Sequence, residues 1–157
     1  MIEWPELLRW LHVIGAAVLL GTGTGIAFFM LLAHRTRDAT LIAHVAGTVV
    51  VADFLFTATA VIVQPITGVL LAHLLGWSLL TPWIVASLAL YVLTGLCWLP
   101  VVLIQIKLRD LARASAAQGI PLDQRYHRLF SKWVLLGIPA FVSVLAILWL
   151  MVARPDL

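Results

Sequence analysis

An all-α fold, an integral membrane four-helix bundle in the N-out/C-out orientation, is what three features of the sequence predict. The first is composition: hydrophobic residues make up 63% of the 157 and charged residues 11%, whereas a soluble domain is about 45–50% apolar and ~25% charged. The second is that the apolar residues fall into four runs, each long enough for the roughly 20 residues a spanning helix needs. The third is the basic residues, which gather beside two of the three connections. One bundle covering 1–157 is the natural count at this length.

The first helix is expected over 7–33. It is longer than the ~7–15 residues of a signal-peptide core and no small-residue cleavage site with a soluble domain follows, so it reads as a retained span. The second is expected over 46–75, long enough to tilt or kink. Gln64-Pro65 interrupts its backbone ladder near the middle, and Gln64 is placed to take up the freed carbonyl. The third is expected over 82–106 and the fourth over 132–153. Arg35-Thr36-Arg37-Asp38 and Gly76-Trp77-Ser78 make the first two connections. A polar loop over 107–126, broken at Gly119-Ile120-Pro121, makes the third.

Orientation follows from charge. Arg35, Arg37, Lys107, Arg109, Arg113, Arg125, Arg128 and Lys132 flank the first and third connections, against Arg9 and Arg154 on the other side. That bias puts both basic connections of this multi-pass chain in the cytoplasm and both termini outside. Trp4, Trp10, Trp77, Trp83 and Trp149 then fall near the outer surface as an aromatic belt. The net charge of +3 alone would suit nucleic acid. Its placement makes it a topology signal and a lipid-headgroup contact instead, and no nucleic-acid partner is expected. Cys97 is the one cysteine, which excludes an internal disulfide and any CxxC motif.

The residues with chemistry sit inside the spans. His12 lies just within the first, where an ionisable side chain costs energy unless it faces a partner. Histidine is also a common ligand of metals and of haem iron. His73, near the outer end of the second helix, can lie at similar depth on an antiparallel neighbour. Two imidazoles on facing helices are the arrangement of a bis-histidine haem. His12 and His73 are therefore the expected iron ligands, with Met151 and Tyr91 weaker candidates for the second position. The alternative for His12 is a core histidine hydrogen-bonded to its neighbour helix. His34, His44 and His127 read as solvated interfacial residues. Gly21-Thr22-Gly23-Thr24-Gly25 follows His12, and Gly23, about three turns on, shares its face. Either a flat macrocycle or a packed helix would explain it. Asp53, Thr57, Gln64 and Thr67 form a polar stripe on the second helix. Asp53 should pair with a cation, for which Lys132, Arg128 and Lys107 have compatible depth. A structural ion pair and a proton relay are the two roles that fit it.

At these residues the chain resembles an uncharacterised family of predicted four-helix bacterial integral membrane proteins. The resembling stretches are Leu11-His12-Val13-Ile14, Gln64-Pro65-Ile66-Thr67-Gly68, Thr81-Pro82-Trp83 and Tyr126-His127-Arg128-Leu129-Phe130. More distantly it is similar to HemJ-type protoporphyrinogen IX oxidases and to CopD membrane proteins of copper resistance. Trp10-Leu11-His12, Gly68-Val69-Leu70-Leu71, Arg128-Leu129-Phe130, Pro139 and Val152-Ala153-Arg154-Pro155 look like HemJ-type features in their order. The resemblance implies haem b, with His12 as its key residue. Ser87 stands where that family has a functional lysine, and a serine cannot supply a cation to substrate propionates. What the resemblance implies is thus a bound haem rather than porphyrinogen oxidase activity.

The expectation is a haem b membrane protein in electron transfer or oxidoreduction. Its partners would be the lipid bilayer, a quinone, a porphyrinogen or a periplasmic redox protein, and a second copy of the chain in a homo-oligomer. The alternatives are a CopD-like transport protein lined by Asp53, Gln64, His12 and His73, and a non-catalytic accessory subunit.

Overall fold

A computed structural model describes residues 4–155, and four helices account for nearly all of them. They are α1 (Trp4–Thr36), α2 (Ala39–Leu74), α3 (Pro82–Gln118) and α4 (Gln124–Ala153). Each is long and apolar enough to cross a membrane. The chain runs up and down, so both ends of the described segment and the α2–α3 turn share one end of the bundle, here the terminal end. The α1–α2 and α3–α4 turns mark the loop end.

The helices outrun their apolar spans, and the reason is local. Asp38 starts α2 by accepting hydrogen bonds from the backbone N–H groups of Thr40 and Leu41, at 2.8 and 3.2 Å. These satisfy donors that a helix start leaves open. The helix therefore begins at Ala39 rather than near 46. Asp123 likewise caps α4, accepting from Arg125 N–H at 3.3 Å. Residues 107–118 are too charged for lipid but rich in helix-favouring Ala, Leu, Arg and Lys. They continue α3 until Gly119, at φ 64°, closes it. There Ile120 N–H donates to the Ser115 carbonyl at 3.1 Å, a glycine C-terminal cap.

α2 is regular except at Asp53–Thr57, which forms a single π-helical stretch. Pro65 does not end it, and α-helix runs unbroken over Ala58–Leu74. The carbonyl that Pro65 leaves without its N–H partner is that of Val61. It accepts a hydrogen bond from the Tyr91 hydroxyl of α3, so Tyr91 rather than Gln64 makes the compensation.

The interior has three layers. A large apolar cluster fills the loop end, built on Met30, Ile42, Ala46, Leu108, Ala112, Tyr126, Phe130 and Trp133. A small one, Ala72, Trp83, Ile84 and Leu150, closes the terminal end. Between them the buried side chains are largely polar or small: Asp53, Thr57, Ala60, Gln64, Thr67, Ser87 and Ser143. Cys97 is buried within α3. Of the expected aromatic belt, Trp4, Trp10 and Trp149 are exposed. Trp83 turns inward, and Trp77 packs edge-on to it at 4.9 Å while the Arg154 guanidinium lies 4.6 Å over the Trp77 ring.

Candidate functional site

The polar middle layer brings α1 and the terminal half of α2 together through a reciprocal set of contacts. His12 Nδ1 lies 2.8 Å from Thr67 Oγ1. One helical turn away, Gln64 Nε2 donates to the backbone carbonyl of His12 at 3.0 Å. Both contacts depend on glycines. A Cβ on Gly68 would lie 3.2 Å from His12 Cε1, and one on Gly15 would lie 3.1 Å from Gln64 Nε2. A side chain at either position would require the ring or the amide to give way by a few tenths of an ångström.

The hydroxyl of Thr67 decides how the imidazole is used. Thr67 Oγ1 is 2.9 Å from the Val63 carbonyl and 3.1 Å from that of Gln64. Its one proton goes back to a carbonyl of its own helix, the usual habit of a mid-helix threonine. Oxygen lone pairs then face His12, so Nδ1 carries the ring proton and donates it. Nε2 is left as a bare lone pair, and among the described residues it has no hydrogen-bond partner. Gln64, only 7% exposed, has its Oε1 buried without a partner.

Asp53 forms a second polar point in the same layer. It is 3% exposed and its Oδ1 accepts from the Trp98 indole N–H at 3.2 Å. The expected cation is not its partner. Lys107 lies nine residues further along α3 than Trp98, about 13 Å towards the loop end, and Arg128 and Lys132 are exposed. Among the described residues the one ion pair is Arg109 with its neighbour Asp110, at 2.9 Å. Asp53 opens the π-helical stretch, whose other end, Thr57, buries an unpartnered hydroxyl. Such stretches recur at functional sites.

The other sequence candidates are scattered. His73 is exposed in the last turn of α2. The residues level with His12 are Thr67 and Gly68, and His73 lies five residues, about 8 Å, beyond Gly68. The two imidazoles are not brought face to face. Met151 packs on the terminal-end cluster. Ser87 is buried with its hydroxyl on the Trp83 carbonyl at 2.8 Å. Gly23 meets nothing within 4 Å of where its Cβ would be. No helix packs closely there, although Gly15, Ile26 and Met30 of the same α1 face are buried. Among the described residues no three His, Cys, Asp or Glu side chains converge as a metal-ion cage. Sequence reading missed the roles of Gly15, Gly68 and Trp98. Only Gly68, adjacent to Thr67 in the quoted Gln64–Gly68 stretch, carried a visible signal.

A family model described as "Predicted integral membrane protein (DUF2269)" matches residues 6–155. The chain belongs to the DUF2269 family. No curated protein and no solved structure matches it. A likeness to HemJ-type oxidases or CopD proteins finds no support in these comparisons. The His12–Thr67–Gln64 cluster of this DUF2269 chain is accordingly read on its own geometry.

Proposed function

We propose that this DUF2269 chain is a haem b protein of the bacterial inner membrane, working in electron transfer or as an oxidoreductase, with His12 Nε2 as the atom that would hold the iron. The observation that carries the reading is the hydrogen bond from His12 Nδ1 to Thr67. Metal-ligating histidines characteristically donate their second ring N–H to a fixed acceptor, which sets tautomer and ring orientation. His12 has that acceptor, a bare Nε2 and a glycine beside its ring. Haem b, when bound, supplies one-electron chemistry at its iron. In this scheme His12 would hold the iron, Thr67 orients the ring, and Gln64 fixes the α1 backbone that carries it. His73 is not required. The electron partner in this reading is a quinone or a periplasmic redox protein.

A second reading makes the same cluster a lock between α1 and α2 in an accessory subunit. The reciprocal pairing of His12 with Thr67 and of Gln64 with the His12 carbonyl favours it. Visible spectroscopy of full-length protein purified from haem-replete cells separates the two. The haem reading expects a Soret band that shifts on reduction, a pyridine haemochrome of b type, and loss of both in His12→Ala protein that still runs as a folded species. Folded wild-type protein without pigment would leave the lock as the function of the cluster.

A further inference from the structure

A groove at the loop end, between α2 and α3 and far from His12, is built differently from the rest of the surface. Ala43, His44, Gly47, Thr48, Val51 and Arg113 line about 460 Å³ of open space. Its basic group is seated by a glycine. Arg113 Nη2 lies 3.3 Å from where a Gly47 Cβ would be, so the guanidinium rests across the α2 backbone. Among the described residues no carboxylate lies within ion-pair distance of it, and no carboxylate lines the groove. The neighbouring groove at Lys107, Leu111 and Arg125 differs in containing a carboxylate, Asp110, which pairs with Arg109 at 2.9 Å. The Thr48 hydroxyl donates to the His44 carbonyl at 3.2 Å, which leaves the Arg113 guanidinium and the His44 imidazole as the free donors.

The groove also has a direction. His44 and Arg113 each lie five residues from the loop-end terminus of their helices, about 8 Å in from it. Going towards the bilayer centre from Gly47, the same face of α2 presents Val51, Phe54 and Leu55, all exposed and spaced at helical intervals. A cationic, donor-rich head thus continues into an apolar strip that opens sideways to lipid. An uncompensated arginine matches the paired oxygens of a phosphodiester. Basic pockets between spanning helices are a recognised way of holding anionic headgroups. We propose that this groove is a binding site for one anionic phospholipid, its phosphodiester on Arg113 and His44 and one acyl chain along Val51, Phe54 and Leu55.

The test is native mass spectrometry of full-length protein released from nanodiscs of phosphatidylcholine with phosphatidylglycerol. Wild-type protein should retain one phosphatidylglycerol in preference to phosphatidylcholine. Arg113→Gln should lower that adduct about five-fold, as expected for loss of one basic contact near a charged surface. Gly47→Leu, which fills the cradle without removing charge, should lower it similarly. Arg125→Gln, in the neighbouring groove, should leave it within two-fold of wild type. Equal losses in Arg113→Gln and Arg125→Gln would reduce the effect to general surface charge and overturn the site. So would no preference for phosphatidylglycerol in wild type. Displacement of the adduct by millimolar inorganic phosphate would show a free-phosphate site and refute the lipid assignment.

Discussion

Gly68→Ala is the sharpest probe of the packing that holds His12. Two effects oppose each other. Alanine is favoured over glycine in a helix by about 0.8–1.0 kcal/mol, which stabilises the variant. The new methyl would lie 3.2 Å from His12 Cε1, inside ordinary contact distance. The ring cannot retreat freely, because its Nδ1 is held 2.8 Å from the hydroxyl of the residue next to Gly68. Overpacking of a fixed neighbour costs about 1–3 kcal/mol. Gly21 supplies the reference, since nothing lies within 4 Å of its missing Cβ. The propensity gain is common to both substitutions, so the difference between Gly68→Ala and Gly21→Ala isolates the steric cost. That difference should be about 1–3 kcal/mol in favour of Gly21→Ala, or roughly 5- to 150-fold in the folding equilibrium. Reversible unfolding in mixed micelles reads it directly. In a His12→Ala background the difference should shrink towards zero, because the obstructing ring is gone. Equal stabilities of the two variants on the wild-type background would refute the claim that His12 is wedged against Gly68.

Three further outcomes follow from the hydrogen bonds of the middle layer. Tyr91→Phe should destabilise by about 0.6–1.7 kcal/mol, the range of such bonds within membranes, and Pro65→Ala should suppress the loss by restoring an N–H for the Val61 carbonyl; a double-mutant cycle with no coupling would count against the pairing. Thr67→Val should free the His12 ring and Thr67→Ser should keep it fixed, which imidazole Nδ1–H chemical shifts distinguish. Trp98→Phe should cost about 1–3 kcal/mol by stranding the buried Asp53 carboxyl, and adding Asp53→Leu should recover much of it, as melting temperatures of the single and double variants will show.

Hydropathy located the spans because lipid imposes one condition on every residue in them. Helix ends answer to other forces. Asp38 and Asp123 begin α2 and α4 outside the apolar runs, and the charged 107–118 segment extends α3, so caps and propensity rule there rather than lipid. Within the site, His12, Gln64 and Thr67 were each legible as polar groups at depth. Their pairing was not, because it turns on rotation about the helix axis and on the absent side chains of Gly15 and Gly68. Matching His12 with His73 used depth alone. Along a straight α2, His73 lies nine residues and half a helical rotation from Gln64, and Pro65 does not break α2. For Asp53, charge complementarity pointed to a cation, whereas the neighbour at its level is the Trp98 indole.

The seclusion of Cys97 inside α3 makes the chain naturally suited to thiol mapping. Its sulfur is the molecule's only one of that kind, and it is buried. A cysteine introduced at Ile120, in the exposed turn that joins α3 to α4, would be the single readily reached target for a charged maleimide. Labelling of sealed right-side-out and inverted vesicles would then report directly which compartment that hairpin tip inhabits.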